Sequence, residues 1–372
     1  CTARVCYHPR PGAPSIAAGS IRAGASRRRP TTHSGFPMIP KSDRKVNRPP
    51  VLFAETQKLI DEIERRIEGR FLTYWTSPDG MVCDNDVLAL YEVLQTFGHC
   101  ETMVCFINSS GGDGQSSLRM VNLLRKHADR VIATIASECA SAATMMALGA
   151  DEIRMGPLAY LTAVDTSLTH ALSPVDKENN LVSVSLDELV RVVNLWRHEA
   201  ADQQTNPYEP LFQHIHPLVI GAIDRSSSLS IKLCTDILSY HMDDHEKAEK
   251  ISRHLNSHYP SHDYPITLRE AQELGLNVTE LDGELNELLL DLNEVYSEMG
   301  QKAITDHDEH NYHSNNIVNI LEGRGIQVFY QHDKDWHYMR EERRWVSIND
   351  KSSWHRVELV DGRVRRMPLH IL

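Results

Sequence analysis

Between Phe71 and Met155 short apolar runs alternate with amphipathic stretches, and this alternation restricts the possible folds more than any other feature of the chain. Phe71–Trp75, Thr102–Asn108 and Val131–Ile135 have the length and β-branched, apolar content of buried strands. Asp84 is positioned to cap a helix carrying Val87, Leu88, Leu90, Tyr91 and Leu94, and a second helix is expected over Gln115–His127. Alternating strands and helices imply an α/β fold: a parallel sheet with crossover helices, whose ligands sit at the carboxyl ends of the strands.

Two small-residue segments fall at such ends. Ser109-Ser110-Gly111-Gly112-Asp113-Gly114 directly follows the second strand. Paired glycines there let backbone N–H groups point into a cleft, as an oxyanion requires, although alone they equally mark a tight turn or a phosphate loop. Beyond the third strand comes Cys139-Ala140-Ser141-Ala142-Ala143-Thr144, which presents a hydroxyl where a strand gives way to a helix. A serine among alanines is by itself ordinary helix packing. Together the two segments point to acyl transfer.

With Gly149-Ala150-Asp151-Glu152-Ile153-Arg154-Met155-Gly156-Pro157, these motifs resemble the Clp protease/crotonase superfamily over Phe71–Leu281. Within it the chain is most similar to the serine dehydrogenase proteinase family, relatives of signal peptide peptidase A. The resemblance implies a crotonase/ClpP-like fold in a trimer-based homo-oligomer acting on a peptide or protein substrate without a cofactor. Ser141 would be the nucleophile, with Gly111 and Gly112 as the oxyanion hole.

The family's Ile-Asp-Pro-Gln segment reads Val164-Asp165-Thr166-Ser167 here, so its Pro-Gln is lost. Where Clp proteases place the base histidine this chain has Asp165, and Asp263 aligns with their triad acid. A solvated aspartate is a poor base for serine. Three readings of the base stand: His262 paired with Asp165 or Asp263; Lys177, as in the Ser-Lys dyads of signal peptide peptidase A; or no base, with Asp165 orienting a loop or a subunit contact. Two rival classes follow, a catalytically inactive oligomeric scaffold and an acyl-CoA-binding crotonase-type enzyme; the serine-rich turn argues against the second. No GxGxxG fingerprint supports hydride chemistry.

The remaining composition narrows the class. Residues 1–50 carry ten Lys and Arg against one acid, leaving 29 basic and 50 acidic residues in an acidic body that argues against nucleic acid as a partner. The tail reads as disordered and lacks a secretory apolar core; residues 1–37 are expected to be dispensable, a polybasic address signal being the alternative. Seven cysteines, an odd number with no CxxC and several in apolar runs, read as reduced thiols of a cytoplasmic protein. No apolar run is long enough for a membrane span.

Residues 51–299 are expected to form the peptidase domain. Its first helix runs from Phe53 through Gly69. A polar segment over Leu168–Asn180 suits a loop or lid, and Ser185 and Glu188 form a capping box for a helix with Leu189, Val192, Val193 and Trp196 inward. The helical run over Leu211–Leu255 reads as a subunit-packing arm. Thr267 and Glu270 form another capping box, and an amphipathic helix after Gly283 closes the domain. Residues 300–325 are expected to be a linker, and 326–372 a small β-rich tail folded back at Asp361-Gly362. Among 20 histidines, the set His254, His258 and His262 and the set His307, His310 and His313 have helical spacing, but without a Cys-His or HExxH framework they imply no metal.

Overall fold

The computed structural model describes residues 46–176, 181–199, 206 and 208–371. The basic tail lies outside the described residues up to residue 45, as does Lys177.

From the amino end, α1 (Phe53–Glu64) leads to β1 (Arg70–Thr76), α2 (Asp84–Phe97), β2 (Cys100–Asn108), α3 (Gly114–His127) and β3 (Ala128–Ile135). The two-residue β4 (Glu138–Cys139), α4 (Ala142–Leu148), β5 (Glu152–Met155) and β6 (Tyr160–Leu161) follow. Next come the paired β7 (Ser167–Leu168) and β8 (Val184–Ser185), α5 (Leu186–Glu199), α6 (Tyr208–Leu211), α7 (Pro217–Leu238), α8 (His245–Ser257) and α9 (Leu268–Glu273). After β9 (Val278–Glu280) and α10 (Gly283–Met299) come β10 (Ala303–Asp308), β11 (Asn311–Gly323), β12 (Ile326–Met339), β13 (Arg344–Asp350), β14 (Ser353–Val360) and β15 (Arg363–Leu369).

Strands β1, β2, β3, β5 and β9 lie side by side and parallel, as the alternation of apolar runs requires. Their residues alternate between two cores. Phe71, Val104 and Ile132 stand in register on one face beneath α1 and α10, while Leu72, Met103 and Cys105 face the helices on the other. Burial on both faces explains the continuous apolar runs at the centres of β2 and β3, Met103–Ile107 and Val131–Ala133. Cys105, Cys139 and Cys234 are buried free thiols, and Cys100 is a half-buried one.

The C-terminal strands correct the expectation of a linker and a separate tail. The stretch read as a linker forms β10 and β11, and β11 pairs antiparallel with β1 from Leu72↔Gly323 to Thr76↔Asn319. The sheet therefore continues through β12 and β14 to β15, eleven strands among the described residues, with β10 and β13 paired at its side. Polarity misleads here because Asn315, Asn316 and Asn319 are buried and bonded. Asn319 donates to Asp86 and to the Met81 carbonyl, Asn316 to Asp79 and Asn315 to Asp333. His307 and His313 consequently lie on strands, not on a helix. The turn at Asp361-Gly362 forms as expected, both residues having positive φ.

Other local differences have simple causes. Cys83, not Asp84, is the N-cap of α2, and Asp86 accepts its N–H at 2.8 Å. The capping box at Ser185 and Glu188 is present, with both reciprocal bonds at 3.2 Å. On α5, Leu189 and Val193 pack against Val219 and Ile223, whereas Val192 and Trp196 face outward; one narrow i, i+4 stripe is covered and its neighbour is not. The helical run after Leu211 contains one long helix, α7, with Pro217 in its first turn. Thr267 is the N-cap of α9 without a side-chain cap bond.

Candidate active site

The carboxyl ends of β2 and β3 meet at the residues singled out above. After β2, Ser109 donates its N–H to the Glu138 carbonyl at 3.1 Å and accepts from Ala140 N–H at 2.9 Å, which zips the loop onto β4. The Val82 N–H bonds the Gly111 carbonyl at 2.8 Å and Asp113 N–H bonds the Val82 carbonyl at 2.9 Å, so the loop is held from its other side too. Asp113 then caps α3 by accepting from Ser116 N–H at 2.8 Å.

Gly111 has φ +102° and Gly112 φ +147°, conformations that side chains disfavour. A Cβ on Gly111 would stand 2.7 Å from the Ala140 carbonyl oxygen, 2.7 Å from Ser141 Cβ and 3.0 Å from Ala142 N. Glycine thus keeps open the space beside Ser141. The Gly111 N–H is directed to Ser109 Oγ at 3.2 Å. Among the described residues, the N–H groups of Gly112 and Ala142 have no protein acceptor.

Ser141 is the N-cap of α4, half-buried, at φ +52° and ψ −117°. A non-glycine residue in this region costs about 1–3 kcal/mol and persists only where its surroundings dictate it. They do so here. The Ser141 N–H donates to Thr162 Oγ1 at 2.8 Å, and Ser117 Oγ donates to the Ala142 carbonyl at 2.7 Å. The serine's own hydroxyl makes no capping bond and, among the described residues, no hydrogen bond at all. The turn has the strand-to-helix character of a nucleophile elbow without its flanking glycines.

Asp165 and His262 come together. Leu161 and Ile266 exchange backbone hydrogen bonds at 3.0 and 2.8 Å in an antiparallel bridge. Four residues further along each segment, Asp165 Oδ1 lies 2.7 Å from His262 Nδ1. The segment is fixed from below, since Val164 donates to the Leu255 carbonyl at 3.0 Å and accepts from Ser230 Oγ at 2.6 Å. The Asp165 hydrogen bond raises the His262 pKa above the ordinary 6.5, against the lowering effect of burial; the charges of Asp165 and Asp263 add to the rise. Asp263 is exposed and makes no hydrogen bond to His262.

The structure does not join this pair to the serine: among the described residues Ser141 Oγ bonds neither Asp165 nor His262. They are linked through Thr162, three residues before Asp165 and so within about 11 Å of it along the chain. Cys139, two residues before Ser141, is fully buried, and burial pushes its thiol pKa well up. Sequence reasoning missed Thr162, Thr144 and the Ala142 N–H; only the left-handed turn at Ser141 gives them significance. No group of three or more His, Cys, Asp or Glu side chains suited to a metal occurs among the described residues. No helix among them is long and apolar enough to cross a membrane.

No family model matches the chain. An uncharacterized protein of Methanocaldococcus jannaschii is 27% identical over 192 residues, 52% of this chain and 57% of that protein. The chain thus spans little more than half the length of that relative. Among solved structures, a serine-to-alanine variant of the 1510-N membrane-bound stomatin-specific protease superposes with a TM-score of 0.33 at 14% identity, covering 62% of this chain and 84% of that one. A lysine-to-alanine variant of the same protease, in complex with a substrate peptide, gives 0.34 at 14% identity, covering 62% and 79%. ClpP1 from Listeria monocytogenes gives 0.30 at 14% identity, covering 62% and 99%.

Proposed function

We propose that the chain is a serine peptidase related to the Clp protease/crotonase superfamily and to signal peptide peptidase A, working as a homo-oligomer on peptide substrates. The reading rests above all on the left-handed Ser141 turn, packed against a glycine whose missing Cβ leaves room beside the hydroxyl.

In this reading Ser141 Oγ attacks the scissile carbonyl carbon and its proton passes to His262 Nε2. Asp165 holds the other ring nitrogen and stabilises the imidazolium that forms. The developing oxyanion receives the Gly112 and Ala142 N–H groups, while Gly111 supplies the space and, through Ser109, the loop's shape. Return of the proton to the leaving amine completes acylation, and water then hydrolyses the acyl-enzyme. His262 must close on Ser141 for this, as catalytic hydrogen bonds often tighten only around substrate.

Labelling with a fluorophosphonate probe and mapping the modified peptide tests the reading. Label on Ser141 in wild type, absent from Ser141→Ala, is the expected result. The missing contact between Ser141 and His262 favours a second reading, an inactive scaffold, and a folded wild-type protein that takes up no label would establish that one instead.

A further inference from the structure

The strained conformation of Ser141 needs a partner for its own N–H, and the described residues offer one. Thr162 Oγ1 accepts that N–H at 2.8 Å. Thr162 is 2% exposed, so no water is at hand to replace it. Its hydroxyl proton goes to the Ala163 carbonyl at 3.1 Å, which leaves the oxygen lone pairs to accept.

Thr162 is itself fixed by a second buried threonine. Its N–H donates to Thr144 Oγ1 at 3.2 Å, and the Thr144 hydroxyl donates to the Cys139 carbonyl at 2.8 Å. The relay runs from β4 through α4 to Thr162, directly after β6, and ends on Ser141. The other clamps nearby act on Ala140 and Ala142, through Ser109 and Ser117, and leave the Ser141 N–H untouched. Removing the Thr162 hydroxyl would leave a half-buried donor without its acceptor, and the strained peptide would turn to find another. Ser141 Oγ and the Ala142 N–H would turn with it.

We infer that Thr162 is a positioning residue for Ser141, its hydroxyl holding the left-handed turn that keeps Ser141 Oγ and the Ala142 N–H beside the Gly111–Gly112 loop. This role rests on the peptidase reading of Ser141.

The test is the kinetics of fluorophosphonate labelling in wild type, Thr162→Val and Thr162→Ser. In Thr162→Val the bond-forming rate at saturating probe is expected to fall by about a hundredfold, with apparent probe affinity unchanged, because misplacement of about 1 Å has that effect. Thr162→Ser keeps the acceptor and is expected within about threefold of wild type, under 1 kcal/mol of barrier. A merely structural role would lower the amount of labelled protein and leave the rate per labelled site unchanged.

A wild-type rate in folded Thr162→Val, or an equal loss in Thr162→Ser, overturns the inference. Should Thr162→Val not fold, Thr144→Val breaks the relay one step earlier; a slowed rate supports the role and an unchanged rate removes it. Absence of label on wild-type Ser141 would bring down the peptidase reading itself, and the positioning role with it.

Discussion

Replacing Gly111 by alanine separates two contributions that coincide at the candidate site. The residue has φ +102°, and its new Cβ would meet the Ala140 carbonyl oxygen at 2.7 Å, Ser141 Cβ at 2.7 Å and Ala142 N at 3.0 Å. Two of these atoms are backbone, so they yield only by moving the turn. Gly325 supplies the control: its φ is +82°, but nothing stands within 4 Å of its Cβ position. Gly325→Ala should cost the backbone term alone, about 1–2 kcal/mol. Gly111→Ala should add about 1–3 kcal/mol of overpacking. With a urea m-value of about 3 kcal/mol/M, the midpoint falls by about 0.5 M for Gly325→Ala and about 0.7–1.7 M for Gly111→Ala. Equilibrium unfolding followed by tryptophan fluorescence measures both. Equal midpoints in the two variants would mean that the space beside Ser141 is not set by close packing, and the account of why glycine stands there would be wrong.

Three further outcomes are expected. Labelling of Ser141 should quicken as pH rises and His262 loses its proton, with a midpoint above the ordinary 6.5 because Asp165 favours the protonated ring; Asp165→Asn should lower both midpoint and rate, and an unmoved midpoint would separate the pair from the chemistry. Glu322, buried and accepting from Thr56, Gln57, Tyr296 and Gln327, is raised by burial from 4.5 to about 7. Because its folded pKa is the higher one, the folded state binds the proton more tightly and loses about 3 kcal/mol as pH climbs from about 4.5 past 7; denaturation of wild type against Glu322→Gln across that range should show the difference, and parallel curves would contradict it. Burial pushes Cys105 up to about 12 and Cys139 further still, so iodoacetamide should spare both in the native protein; prompt alkylation of Cys139 would contradict its enclosure beside Ser141.

The parallel strands were legible because burial on both faces leaves a plain mark: Met103–Ile107 is an unbroken apolar run, and Phe71–Trp75 is interrupted only by the buried Thr73. The capping box at Ser185 was legible because it is local. The Asp165–His262 pair was one of several possibilities, and the antiparallel bridge at Leu161 and Ile266 is the long-range contact that selects it. The strand β11 was hidden because asparagines suggest solvent, while here they bond to Asp79, Asp86 and Asp333 in the interior. The turn at Ser141 was hidden for the opposite reason. Its flanking alanines suit a plain helix, and the positive φ is imposed by Thr162 and the glycine loop, which sequence alone cannot bring alongside.

The pairing of β11 with β1 bears on how the molecule is made. Leu72 leaves the ribosome well before Gly323, yet they are neighbours in the finished sheet. Until β11 arrives, one side of β1 has no backbone partner, and an unpaired strand edge recruits other chains. At about 5–20 residues per second the interval lasts tens of seconds. The parallel half, with Ser141 already at its rim, would spend that time with an open seam, until β11 arrives to close it.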